Sequence, residues 1–404
     1  MKGILTIPLV CIALSVSAQD CVLQRVINNA PEGAVITLGA GLYEGNITIT
    51  KPLTIRSSES GAIIRGEGKD SVIRVSSPHV TLEGLEIEGS GKEHQSIDSC
   101  VYVSGAYNVS IRRNTLSDCL FGVNFEKTNQ SVIEENRITS KRRSLGTRGD
   151  GIRLWYSHSN TVRLNQVDFV RDNVLWYSSG NRIEQNSVEN SRYALHFMYA
   201  NRNKVSRNDL RNNSVGFFGM YCEGSTVTNN IVSNATGAFG IGIGMKEASE
   251  MVVEDNDIVY NARAFYLDSS PYQPGTVNIF KNNRILFNTT GIQMHGTLFA
   301  SDFEGNTFAG NIQDLANDTP GSHVAVNRWR GNLWDNYAGF DRDKDGIGDI
   351  VHETWAYADR VWSYKPATRL FFASPVFDLM NFLTRLMPFS DPELLARDET
   401  PKVK

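Results

Sequence analysis

Apolar residues in this chain come in runs of three to six, rich in Val, Ile and Phe, and each run is broken by Asn, Ser or Gly. Between Val109 and Asn306 the breaks return in one phrase: Ile111-Arg112-Arg113-Asn114, Ile133-Glu134-Glu135-Asn136, Val162-Arg163-Leu164-Asn165 and Ile183-Glu184-Gln185-Asn186, then on through Asn208, Asn230, Asn256, Asn283 and Asn306. The steps between these Asn residues are 22, 29, 21, 22, 22, 26, 27 and 23. A period near 22 is the mark of a solenoid, and runs this short and this β-branched are strands. No helical run of comparable regularity intervenes, so leucine-rich and helical repeats fit poorly. The pattern predicts an all-β chain, a right-handed parallel β-helix over residues 35–330, in which each turn lays short strands beside those of its neighbours. The repeated Asn is expected both to make the turn, since Asn tolerates left-handed backbone angles, and to stack into an internal amide ladder that satisfies buried donors and acceptors. Surface Asn turns in a β-sandwich are the alternative, which nine regular returns disfavour.

The ends read differently. Residues 1–18 have Lys2, an apolar stretch from Ile4 to Val16 and Val16-Ser17-Ala18 as a small-residue cleavage site, the features of a secretory signal. In the cap, residues 19–34, Leu23, Val26 and Ile27 predict a short amphipathic helix covering the first open strand edges. Leu85 stands where later turns have Asn, so the ladder should begin at Asn114. The long step to Asn165 holds Lys141–Asp150, expected as a projecting loop that is either solvated or grips an anionic ligand or partner. Ser269–Gly275 is a second such loop. After Asn306 the repeat fades into a segment over 331–365 and a tail over 366–404. Arg369, Asp378, Asn381 and Arg385 interrupt Pro366–Pro388 too often for a membrane span. Pro375–Met387 instead predicts one amphipathic helix, capped by Ser374 with Pro375 in its first turn. That tail can fold back as a lid, lie on a membrane or dock on a membrane partner, and its aromatic load favours docking.

Composition adds limits. The chain has 404 residues and a formal charge of −4, and loss of Lys2 with the signal takes it to −5. With no basic tract dominating, nucleic acid is an unsuitable partner. The signal implies export, with the periplasm favoured. Four cysteines, Cys21, Cys100, Cys119 and Cys222, survive cleavage and allow three full pairings. Cys100 and Cys119 are about one turn apart, so they can join neighbouring turns, but separate burial as thiols fits equally.

Candidate chemistry lies between the Asn phrases, in Leu154-Trp155-Tyr156, Leu175-Trp176-Tyr177, Phe197-Met198-Tyr199 and Gly219-Met220-Tyr221. Trp155, Trp176, Met198 and Met220 each stand ten residues before a ladder Asn and should form one column. The following tyrosines should form a second, and strand alternation would put one column in the core and the other outside. Met245 is displaced by one from this spacing. His196, Met198, Met220, Met245, Met294 and His295 supply thioether and imidazole, which suit a soft cation such as Cu(I); turns about 4.8 Å apart bring distant Met residues close. Packing of a Met column beside aromatics is the competing reading. The same face has the features of a carbohydrate groove, with Glu126, Asp150, Arg153, Glu247 and Asp268 among Trp and Tyr, but no carboxylate pair at a spacing that glycosidic chemistry needs. Asp341, Asp343, Asp345 and Asp349 lie in Asp-x-Asp-x-Asp-Gly-x-Gly-Asp, a calcium-loop spacing; an acidic surface turn is the alternative.

With these residues together, the chain resembles the NosD family. The resemblance covers the mature chain and rests on Gly149-Asp150-Gly151-Ile152, Leu175-Trp176-Tyr177-Ser178, Ala194-Leu195-His196-Phe197-Met198-Tyr199, the Asn332–Asp349 segment and the hydrophobic C-terminal region. It implies a periplasmic β-helix held on an ABC-transporter permease with its ATPase beneath, accepting Cu(I) as cargo from a copper chaperone and helping to mature nitrous oxide reductase. Residues 366–404 would then be the docking tail, Ca2+ a structural ion, and ATP hydrolysis the partner's work, since the chain has no phosphate-binding loop. The rival reading from the residues is a periplasmic polysaccharide-binding or polysaccharide-modifying β-helix.

Overall fold

The computed structural model describes residues 22–319, 321–356, 365–371, 374–386 and 392–403. The signal segment and Cys21 lie outside them. The fold is a right-handed parallel β-solenoid with a single helix at its N-terminal end. Each turn gives one strand to each of three parallel sheets. Sheet I starts with Ala34–Leu38 and Leu53–Ser57, sheet II with Gly41–Glu44 and Ala62–Arg65, and sheet III with Ile47–Ile49 and Ile73–Val75. One compact unit ends at Ser214 and a second begins at Val215.

In the first unit the core is built by exact alternation within very short strands. Ile111, Ile133, Val162, Ile183 and Val205 are the central residues of successive sheet I strands, and all lie inward at 0–3 % exposure. Phe125, Leu154, Leu175 and Phe197 fill the same role in sheet III. The predicted cap is α1, Val22–Asn29, which buries Leu23 and Ile27. It also closes the open edge directly: Gln24 Nε2 donates to the Thr48 carbonyl (3.0 Å) while Thr48 N–H donates to Gln24 Oε1 (2.6 Å).

The amide ladder exists, but the Asn does not make the turn. The left-handed residue is the one before it: Arg113, Glu135, Leu164, Gln185 and Arg207 have φ of 55–58°. The Asn itself must aim its side chain inward along the axis, and the preceding residue takes the bend. Each Nδ2 donates to the next rung's Oδ1: Asn114 to Asn136 at 3.1 Å, Asn136 to Asn165 at 3.0 Å, Asn165 to Asn186 at 2.9 Å and Asn186 to Asn208 at 3.0 Å. The same Oδ1 accepts the backbone N–H of the preceding Asn. The ladder starts where expected, with Leu85 N–H donating to Asn114 Oδ1 (3.0 Å). A second ladder, Asn160–Asn181–Asn203, went unrecognised in the sequence although its steps are 21 and 22.

The loop expected at Lys141–Asp150 is exposed or half-buried over Arg142–Thr147 and anchored at both ends. Lys141 and Arg148 are buried. Lys141 Nζ donates to the Asp118 carbonyl (2.7 Å), and the Arg148 guanidinium lies 3.3 Å over the Phe169 ring and donates to the Asn190 carbonyl (3.0 Å). A disulfide joins Cys100 to Cys119 on neighbouring turns.

The second unit repeats the plan with a heavier core. Phe280, Phe303 and Trp329 stack along sheet I with ring centroids 4.7 and 4.1 Å apart. Its ladder runs Asn230, Asn256, Asn283, Asn306 and Asn332. Cys222 is buried, its thiol donating to the Met220 carbonyl (3.2 Å). Beyond Asn332 the expected division into a loop segment and a tail over 366–404 does not hold to its end. The helix α2 spans Pro375–Leu386, but Glu393–Asp398 comes back as a strand, antiparallel to His352–Ala356 and joined to sheet I at Trp329. Asp398, fully buried, then takes the ladder's last place. Its Oδ2 accepts Asn332 Nδ2 and Asn332 N–H, both at 2.9 Å, and Trp334 Nε1 at 3.3 Å. Every rung needs an acceptor facing the rung before it. The final rung has no successor to donate to, so a carboxylate, which only accepts, suits it.

Candidate functional site

Strand alternation leaves two outward columns on sheet III of the first unit. One runs Tyr102, Asn124, Arg153, Val174 and His196; the other runs Glu126, Trp155, Trp176 and Met198. His196 and Met198 are neighbours on this face, two residues apart on the strand Tyr193–Met198 with Phe197 turned inward between them. The tyrosine column is not the core partner of this one. Tyr156, Tyr177 and Tyr199 sit one residue past the strands, at φ of 49–50°, and their rings stack outside at 4.9 and 5.1 Å with interplanar angles of 11° and 7°. Positive φ ends the alternation, so both columns face outward. Trp176 lies nearly parallel to Tyr177 (16°), while Trp155 meets Trp176 edge-on at 4.6 Å.

The electrostatics at the start of sheet III were missed in the sequence. Asp150 and Asp172 are both buried, at 2 % and 1 % exposure, and each is held by an arginine of the following turn. Arg171 Nη2 lies 2.9 Å from Asp150 Oδ1, and Arg192 Nε donates to Asp172 Oδ1 (3.0 Å). The signal was available: Asp150 to Asp172 is 22 residues and Arg171 to Arg192 is 21, the ladder's own period. Burial pushes the Asp150 carboxyl up to about 6 despite Arg171. Tyr102 donates to Glu126, and burial with that carboxylate pushes its phenol up to about 12. Arg153 lies 4.7 Å over the Trp155 ring and donates to Asn124 Oδ1 (2.9 Å). Burial holds the His196 imidazole below its usual range, against the opposing pull of Asp172, so the ring is neutral at pH 7 with a lone pair to offer. Two of the four acids proposed for a sugar groove are thus engaged: Asp150 by Arg171 and Glu126 by Tyr102.

In the second unit Met220 aligns with Lys246, not with Met245. The one-residue displacement therefore turns Met245 inward, where it is fully buried in register with Leu267 and then Met294. Met245 and Met294 are core packing, and the expectation that all six Met and His residues share one strip is corrected for these two. The outward series of this unit is Met220, Lys246, Asp268 and His295. His295 Nδ1 pairs with Asp318 Oδ1 at 2.7 Å, and its side chain is 46 % exposed.

Asp341, Asp343 and Asp345 bring one carboxylate oxygen each within 4.8 Å of one another, an arrangement able to hold a cation. Asp349 is not in that group; its carboxylate accepts the Arg342 N–H (2.7 Å), while Asp341 accepts Lys344 N–H (2.6 Å) and Gly346 N–H (2.9 Å). The Asp345 charge holds the Asp343 carboxyl above its usual range.

Residues 136–339 match the family described as "Periplasmic copper-binding protein (NosD)", and residues 38–169 match "Right handed beta helix region". The chain is 34 % identical over 362 residues to a protein of Pseudomonas aeruginosa named "Probable ABC transporter binding protein NosD", covering 87 % of this chain and 84 % of that one. It is 32 % identical over 374 residues to the protein of that name from Stutzerimonas stutzeri, covering 87 % and 83 %. Among solved structures, a family 28 exopolygalacturonase of Yersinia enterocolitica superposes with a TM-score of 0.53 at 11 % identity, over 76 % of this chain and 74 % of that one, a likeness of fold alone.

Proposed function

Because the chain belongs to the NosD family of periplasmic copper-binding proteins, we propose that it is the exported copper-handling subunit of an ABC transporter and supplies Cu(I) for the maturation of nitrous oxide reductase. The observation that carries this reading is the outward pair His196 and Met198: a neutral imidazole and a thioether, side by side on one strand face, are soft donors for a soft ion. Met220 and His295 face outward in the second unit and are the remaining candidates there. In this reading the chain is a binding protein that receives Cu(I) from a copper chaperone and passes it on. ATP hydrolysis belongs to the ATPase beneath the permease.

The helix α2 is assigned to permease docking. Val376, Leu379, Met380, Phe382, Leu383 and Leu386 are 45–67 % exposed on it, more apolar surface than a lid turned onto the solenoid would leave in water. Membrane association in the periplasm then comes through the permease. The Asp341–Asp345 turn is assigned to Ca2+ as a structural ion, with hard oxygens at alternate positions and Gly346 at φ 86° allowing the sharp bend.

Titration of the reduced, anaerobic mature protein with Cu(I) against a competing chelator tests the central assignment. One tight equivalent is expected, weakened at least tenfold by Met198→Ala; binding no tighter than nonspecific uptake would remove the copper role. A polysaccharide-binding protein would instead respond to oligosaccharides and leave Cu(I) with the chelator. For docking, Leu379→Ser with Phe382→Ser should abolish co-purification with the permease from detergent extracts, and retained association would refute the assignment. Deleting everything from Pro366 onward is the wrong test, because it removes Asp398 from the solenoid.

A further inference from the structure

We infer that Trp176 is the third component of the copper site on the first unit, an aromatic wall that covers the ion held by His196 and Met198. This rests on the copper reading above and adds to it a residue, a geometry and a spectroscopic signature. Trp176 is the register partner of Met198 on the preceding turn, so the two side chains occupy the same outward column about 4.8 Å apart. The orientation of the indole decides its role. The Tyr177 and Tyr199 rings stack along the solenoid with centroids 5.1 Å apart and an interplanar angle of 7°, so their normals point from turn to turn. Trp176 lies within 16° of Tyr177 and therefore turns a face toward the turn that carries Met198 and His196. Its other side is occupied by Trp155, which meets it edge-on at 4.6 Å.

An ion bound to the Met198 thioether on that side sits over the indole face. The face of an aromatic ring carries negative charge and attracts a cation within about 6 Å of its centroid, Trp most strongly. His196 stands on the same face two strand positions away, about 7 Å along the chain, and its ring is braced by Tyr193 at 4.4 Å with an interplanar angle of 16°. The wall suits cargo better than a third strong ligand would. An aromatic face shields a reduced ion from water and oxygen while adding less to its affinity than a further donor atom would, so the ion stays transferable. Trp176 Nε1 is buried without a hydrogen-bond partner; the indole is placed for its face, with its one polar atom left unsatisfied.

The test uses the mature chain, reduced and anaerobic, with Cu(I) added from a chelator-buffered stock while indole fluorescence and near-ultraviolet circular dichroism are followed. Wild type is expected to lose tryptophan emission in step with the first equivalent of Cu(I). Trp176→Leu should remove most of that quenching, weaken Cu(I) binding about tenfold, and let bound copper oxidise faster on exposure to air. Trp176→Phe, which keeps the packing and a weaker π face, should fall between. Tight binding with unchanged quenching and unchanged affinity in Trp176→Leu overturns the wall and leaves the copper reading intact. Tight binding that survives Met198→Ala and His196→Ala together places the ion elsewhere and overturns it too. Absence of tight Cu(I) binding in wild type removes both readings.

Discussion

Leu164 and Asn165 are adjacent and have opposite duties. Leu164 is 41 % exposed at φ 56°, a conformation that costs a residue with a Cβ about 1 kcal/mol or more. Leu164→Gly should therefore stabilise the first unit by about 1 kcal/mol in urea denaturation, although no contact is gained. Asn165→Ala should do the reverse. It removes an acceptor used by Asn136 N–H and Nδ2 and a donor used by Ile133 O and Asn186 Oδ1, leaving buried groups unpaired, and the expected loss is about 3 kcal/mol or more. Asp150 adds a pH dependence whose sign follows from burial. Its folded pKa of about 6 lies above the ordinary 3.8, so the folded state binds the extra proton. That contribution is full below about pH 4 and is lost as pH rises through 6. Measured by urea denaturation, wild type should lose about 2 kcal/mol relative to Asp150→Asn between pH 4 and pH 7. At this scale the sequence announced the Asn but misassigned its duty: a repeated Asn suggests a turn, and only the backbone shows that its neighbour makes it.

Strands of three residues cannot stand alone, and the devices that hold them differ in how visible they were. The cap helix was legible because Leu23 and Ile27 sit one helical turn apart, and so was the start of the ladder at Asn114. The direction of Met245 was not, because a one-residue shift in an irregular turn reverses which face a side chain takes. Nor was the closing strand Glu393–Asp398, which lies outside the repeat and makes its contacts with Asn332 across 66 residues of chain. Asp398→Ala should destabilise the second unit by about 3 kcal/mol, since it strips the acceptor from three buried donors; Asp398→Asn should cost less. The disulfide Cys100–Cys119 closes a loop of 19 residues, and the double Ser variant should be less stable by about 3 kcal/mol. His352, beside Asp398 in this end of the second unit, adds an acid limit. Burial holds its imidazole below the usual range, so its contribution is present above about pH 6.5 and lost as pH falls further; His352→Gln should flatten that limb of the urea stability profile.

For the molecule as a whole, the period gave the architecture and the ruler with which to place His196, Met198 and Trp176 on a common face, because one turn separates Trp176 from the other two in sequence while the register rejoins them. The period could not tell inward from outward thioethers, and so it counted Met245 and Met294 among the outward candidates although both are buried. The ladder also has a polarity. In both units each amide oxygen accepts from the rung before it and one amide N–H donates to the rung after it, so a rung keeps one donor unpaired until its successor arrives. A chain threaded across a membrane from its N-terminus can then lock each turn as the next emerges, in the order of delivery. The Asp398 carboxylate is the ladder's full stop: without it the Asn332 amide would be left waiting for an acceptor that no further rung supplies.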